Sequence, residues 1–112
     1  MANQDAALDR VFHALANPTR RAVVKRLSEG PAAASELAEP FAMALPSFMQ
    51  HLQVLEGSGL VRSEKRGRVR TYRLTPERLA RAETWMERAR RLWEARLDRL
   101  DAYVLDLKEG DA

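Results

Sequence analysis

Two groups of residues in this chain of 112 have types and spacings suited to gripping a polyanion. Arg62, Lys65, Arg66, Arg68, Arg70 and Arg73 crowd into residues 60–75 around Gly67, against a single acid, Glu64. That stretch holds +5 of charge, whereas residues 1–59 and residues 76–112 each come to −1, so the net +3 of the chain originates there. Sixteen of the 19 basic residues are arginine, whose planar fork matches phosphate oxygens and guanine edges. A charge run is ordinarily solvated surface; this one lies around a glycine turn that would bring its cations to a tip. The second group is Ser47 and Gln50, which can donate to phosphates or base edges, glutamine being able to bond adenine bidentately. His51, next to Gln50, has two readings: a DNA contact or a bond to neighbouring backbone. Arg20 likewise reads as a DNA contact or as an internal salt-bridge partner.

Other chemistries find no support. With no cysteine, a disulfide framework, a thiolate nucleophile, an iron–sulfur cluster and a Cys-ligated metal are excluded. No phosphate-cradling glycine loop or nucleophile motif occurs, so no catalytic residue, cofactor or metal site is expected and the chain does not read as an enzyme. Acids and arginines alternate at Glu83/Glu87/Arg88/Arg91 and Glu94/Asp98/Arg99, the pattern of a solvated, ion-paired helix face. The composition, 46% hydrophobic and 31% charged, is that of a soluble globular domain. No apolar run approaches the ~20 residues of a membrane span. The N-terminus lacks the apolar core of a secretory signal, and a cytoplasmic location fits.

The elements that must position these residues follow from periodicity. After a loose tail over residues 1–4, Leu8, Val11, Phe12 and Leu15 define a helix over 5–16. Asn17-Pro18 opens a second helix as cap and first position, and Gly30-Pro31 ends it. A short helical piece from Ser35 to Phe41 precedes a helix over Leu45–Glu56 with Leu45, Phe48, Leu52 and Leu55 as its core side. Ser47, Gln50 and Val54 then face the opposite way, with His51 at the flank. Together, residues 34–57 make a helix-turn-helix. Residues 60–75 read as a two-stranded ribbon with Gly67 supplying the positive φ of its turn. Arg70, Tyr72 and Leu74 share one strand face and Val69, Thr71 and Arg73 the other. Thr75 as cap and Pro76 at the first position open a last helix over 76–108, whose ~32 residues would span ~48 Å. Its stripe of Leu79, Met86, Trp93, Leu100 and Leu107, flanked by Leu97, Tyr103 and Val104, needs a partner surface: the 5–16 helix or a second copy of the chain. Trp85, Met86, Trp93 and Tyr103 read as core or dimer interface, with an aromatic ligand pocket as the other reading.

In this order of elements the chain resembles the ArsR/SmtB family of winged-helix transcriptional repressors. The likeness rests on Ala14-Leu15-Ala16-Asn17-Pro18-Thr19-Arg20-Arg21, Glu36-Leu37-Ala38, His51-Leu52-Gln53-Val54-Leu55-Glu56 and Ser58-Gly59-Leu60-Val61. Gly67-Arg68 and Tyr72-Arg73-Leu74 continue it in the wing. The resemblance implies one winged-helix domain over 1–112, mainly α with a small β-hairpin. The helices 5–16 and 76–108 would join two copies into a homodimer through Leu8, Phe12, Leu15, Met86, Trp93, Leu97, Leu100 and Val104. It also implies binding of double-stranded operator DNA and release when an inducer binds; here the residues leave two readings, a small-molecule inducer or no signal beyond changes in protein level. Metal-sensing members use cysteines near the helix-turn-helix or histidines and carboxylates on the last helix. This chain has only His13 and His51, which lie elsewhere, so it resembles a metal-independent subgroup. It departs from the family at Ala44 and Met49, where Ser or Thr is frequent. Those two residues favour the alternative of a winged-helix protein-interaction module without specific DNA binding, and the basic hairpin opposes it.

Overall fold

The computed structural model describes residues 2–110, with side chains from residue 6 onward; Met1, Asp111 and Ala112, the ends of the expected 1–112 domain, lie outside the described residues. Eight elements follow in order: α1 (Ala2–Leu15), α2 (Pro18–Leu27), β1 (Ala32–Ala33), α3 (Ala34–Ala38), α4 (Leu45–Gly57), β2 (Val61–Arg66), β3 (Val69–Leu74) and α5 (Pro76–Gly110). The backbone separates into two compact units that divide between Ala82 and Glu83.

The first unit carries the core. Val11 and Ala14 of α1, Val23 and Leu27 of α2, Leu37 of α3 and Phe48, Leu52 and Leu55 of α4 are buried with Leu60, Val61, Tyr72 and Ala82. The i, i+4, i+7 spacing of Phe48, Leu52 and Leu55 makes a single stripe on α4, which is why this short helix docks by one face. Phe41 stacks on Phe48 with ring centroids 5.4 Å apart. Asn17 caps α2 by accepting from the Arg20 backbone N–H at 3.1 Å, and Pro18 follows at a position that needs no donor.

The sheet differs from the expected two-stranded ribbon. It has three antiparallel strands in the order β1-β3-β2, with Ala32 opposite Tyr72 and Ala33 opposite Thr71. Two alanines show no alternation, so β1 carries no periodic signal and is defined only by pairing. Between β2 and β3 the loop is Gly67-Arg68; Gly67 takes φ +63° and Arg68 a negative φ, the arrangement of a type II′ turn. Gly59, after α4, has φ +82°, and a Cβ there would lie 2.9 Å from Nε of Arg78. The Ser58 hydroxyl donates to the Leu55 carbonyl at 2.7 Å and accepts from the Leu60 N–H at 3.2 Å, turning the chain into β2.

Five further expectations are corrected. The first helix begins at Ala2, not residue 5, and the short helix ends at Ala38 before Pro40, which has no N–H to continue the i→i−4 ladder and whose ring crowds the carbonyl four residues back. Leu45 is 58% exposed rather than in the core, because it occupies the first position of α4, beyond the reach of the core residues under Phe48. Val54 is half-buried against the core instead of facing out, because α1 and α2 both pack on α4. Thr75 is buried and its hydroxyl has no hydrogen-bond partner, so it does not cap α5; its N–H instead bonds the Leu60 carbonyl at 2.7 Å.

The second unit is the remainder of α5. Glu87 accepts from Arg90 at 2.7 Å and Arg91 at 3.1 Å, and Arg90 also reaches Glu94 at 3.1 Å. These guanidiniums hold the Glu87 carboxyl below the usual carboxylate range. Met86, Trp93, Leu97, Leu100, Val104 and Leu107 are exposed along the same helix. No helix among the described residues is long and apolar enough to cross a membrane.

Candidate nucleic-acid interface

The faces of α4 follow from about 100° of turn per residue. With Phe48, Leu52 and Leu55 inward, Gln50 and Gln53 lie outermost. Ser47 is on one flank, and Leu45, Met49 and Glu56 are on the other. Ser47, Gln50 and Gln53 are all exposed. Gln53 was not among the residues singled out from the sequence, although its spacing of three from Gln50 places both amides on one face.

The wing lies on the Glu56 flank of α4. Glu56 Oε2 accepts from the Ser63 hydroxyl of β2 at 2.8 Å, and Ser63 Oγ accepts from Nη1 of Arg70 at 2.9 Å. This relay ties the C-terminal half of α4 to the β2–β3 ribbon and fixes the direction of Arg70. It also surrounds Tyr72, whose hydroxyl is pushed up in pKa by burial first and by Glu56 second, with Arg70 opposing.

Strand register divides the cations between two faces. Val61 pairs with Leu74, Ser63 with Tyr72 and Lys65 with Arg70, and these share the face that packs inward. Lys65 and Arg70 stand at its tip end, past the core. Arg62 pairs with Arg73, Glu64 with Thr71 and Arg66 with Val69 on the opposite, outer face. Arg62 and Arg73 thus meet like to like, which only solvent or a polyanion relieves. All five expected wing cations, Arg62, Lys65, Arg66, Arg68 and Arg70, are exposed. Arg66 approaches Glu64 at 3.5 Å, a loose surface pair worth little.

Between wing and helix is an open groove of about 410 Å³, lined by Ala33, Ala34, Ser35, Leu45, Met49, Lys65, Arg68, Val69 and Arg70. Five of these residues are apolar and three, Lys65, Arg68 and Arg70, are cationic.

Arg20 and His51 are placed differently. Arg20 is 9% exposed, and its guanidinium is spent internally: Nε donates to the Ala14 carbonyl at 2.7 Å, Nη2 to the His13 carbonyl at 3.0 Å and Nη1 to His51 Nδ1 at 3.1 Å. Since guanidinium has only donors, Nδ1 must accept, which leaves the imidazole proton on Nε2. The pair joins the C-terminus of α1 to α4, where carbonyls lack helical partners and the helix dipole favours a cation. The partners are two carbonyls and an imidazole, not the carboxylate of a salt bridge. Among the described residues no group of three or more histidines or acids has a geometry for a metal ion.

Residues 15–64 match a family described as a helix-turn-helix domain. The chain is 44% identical over 80 residues to the HTH-type transcriptional regulator Rv2034 of Mycobacterium tuberculosis, covering 71% of this chain and 75% of that protein. Among solved structures it is similar to the ArsR family transcriptional regulator RHA00566, with TM-score 0.77 and 53% identity over 80% of this chain and 93% of the other. It is also similar to the homodimeric winged helix-turn-helix DNA-binding domain of Mb0332 from Mycobacterium bovis, a possible ArsR-family regulator. There the TM-score is 0.65 and the identity 30%, covering 79% of this chain and 82% of that one.

Proposed function

The chain belongs to the ArsR family of winged helix-turn-helix transcriptional regulators, and from that membership we propose that it is a homodimeric repressor of a pseudo-palindromic operator. Each α4 enters a major groove, where Ser47, Gln50 and Gln53 meet base edges and phosphates. Each wing follows the adjoining backbone with Arg62, Lys65, Arg66, Arg68 and Arg70. The observation that supports the reading is that α4 carries exposed amides and is joined through Glu56 and Ser63 to a ribbon whose cations are also exposed. Arg20 and His51 then act as the brace behind α4 rather than at the DNA. Two-fold symmetry sets the half-sites about one helical turn apart, at ~34–36 Å.

Leu8, Phe12 and Leu15 of α1, and Met86, Trp93, Leu97, Leu100 and Val104 of α5, each contribute to the surface between copies. The exposure of the α5 set supports this, since an apolar stripe of that length requires a cover. A small-molecule inducer acting on this dimer and a cytoplasmic setting complete the proposal.

The test is fluorescence anisotropy on labelled DNA from upstream of the chain's own gene, against an unrelated duplex of equal length, across a salt series. Preference for the upstream DNA near physiological salt supports a specific regulator. Absence of binding to either duplex at low salt refutes DNA binding and favours the protein-interaction reading. Sedimentation of the parent and Leu97→Glu checks the dimer, which the charge should split.

A further inference from the structure

We propose that α4 reads A·T pairs, with Leu45 and Met49 packing on thymine methyl groups while Gln50 and Gln53 bond adenine edges. The inference rests on the DNA-binding reading above and extends it to which bases are read. Recognition helices meet bases with their N-terminal residues, and Leu45 occupies the first position of α4. Guanine is ordinarily read by Arg or Lys, and α4 contains neither. Cytosine is read by a carboxylate accepting from N4, and the single acid of α4, Glu56, is bound to Ser63 at 2.8 Å. What the helix does present is the amides of Gln50 and Gln53, the small hydroxyl of Ser47, which suits any base, the exposed Leu45 and the partly buried Met49. An A·T pair offers the complement in the major groove: adenine N6 and N7 for an amide, and the thymine C5 methyl for an apolar contact.

The groove supplies the second argument. Leu45 and Met49 line it together with Lys65 and Arg70, so apolar surface and cations face one space. A thymidine strand carries the matching pair of features, a methyl on the base edge and a phosphate on the backbone. The core stops short of Leu45 and leaves it exposed, and its place on the flank facing the wing is continuous with the proposed DNA surface.

The experiment selects duplexes from a randomised library with the full chain, then replaces thymines of the enriched half-site singly by deoxyuridine, which removes the methyl and leaves charge and pairing intact. At the thymines under α4 the parent protein should bind about fourfold more weakly per methyl removed, as expected for one buried methyl-sized group. Leu45→Ala and Met49→Ala should bind the thymine duplex more weakly and no longer distinguish it from its deoxyuridine counterpart. Half-sites enriched in G·C under α4, or equal binding to both duplexes by the parent, overturn the A·T reading and leave the regulator standing. Failure to enrich any sequence refutes specific DNA binding itself, and this inference with it.

Discussion

Replacing Arg20 by methionine keeps the aliphatic stem and deletes three hydrogen bonds at once. The guanidinium now satisfies the Ala14 and His13 carbonyls and His51 Nδ1 at 2.7, 3.0 and 3.1 Å. A buried acceptor left without a donor costs ~1–3 kcal/mol. The Ala14 carbonyl belongs to a fully buried residue, whereas the His13 carbonyl keeps its bond from the Ala16 N–H at 3.1 Å and His51 lies nearer solvent, where water replaces part of what is lost. Since neighbouring losses do not add, a total of about 3 kcal/mol is expected. For a domain of this size that lowers Tm by roughly 12–24 °C. The assay is thermal and urea unfolding of parent and Arg20→Met at one protein concentration, because a dimer's stability depends on it. Arg20→Lys should fall between them, one ammonium being unable to reach all three acceptors. Anisotropy on operator DNA at a temperature where both proteins are folded separates the two roles of Arg20. Unchanged stability, or unchanged stability together with weaker DNA binding, refutes the brace, and the second outcome would put the guanidinium on a phosphate.

Other perturbations act on single contacts. Arg66→Ala with Arg68→Ala should weaken binding to every duplex and flatten the slope of log affinity against log salt by about 1.8, two phosphates at ~0.9 each. Gln50→Ala should shift which sequences are enriched in a duplex selection while leaving that slope unchanged. Gly59→Ala places a Cβ 2.9 Å from Arg78 Nε at φ +82°, and urea unfolding should show a loss of ~1–3 kcal/mol. Ser63→Ala removes the group linking Arg70 to Glu56; Arg70 should lose its fixed direction, and operator affinity should fall more than affinity for unrelated DNA.

The parts of the fold that repeat were legible. Asn17-Pro18, the Phe48/Leu52/Leu55 stripe and Gly67 each state a local rule strongly, and the structure obeys them. What escaped was whatever depends on partners distant in the chain. Ala32 and Ala33 form a strand only because Tyr72 and Thr71 offer an edge. Leu45 follows the apolar period of α4 and is exposed because the core stops short of it. Arg20 carried two readings because its carbonyl and imidazole acceptors come together only after α1, α2 and α4 have packed. Thr75 has the residue type and position of a cap, yet its N–H is held by Leu60 and its hydroxyl is left without a partner. Gln53 follows from the helical period alone, standing three residues from Gln50 on the same face.

The shortest strand has the widest consequence. β1 ends at Ala33 and α3 begins at Ala34, so the ladder to β3 passes into the helix-turn-helix with no intervening loop. The wing sheet and α3 are therefore joined without a hinge between them, and this junction is ordered in folding rather than on binding. Association with a rigid duplex then needs no disorder-to-order step, and its heat-capacity change should equal that of the apolar surface covered, with no contribution from coupled folding. In calorimetric terms the curvature of its affinity with temperature should then report the apolar surface covered.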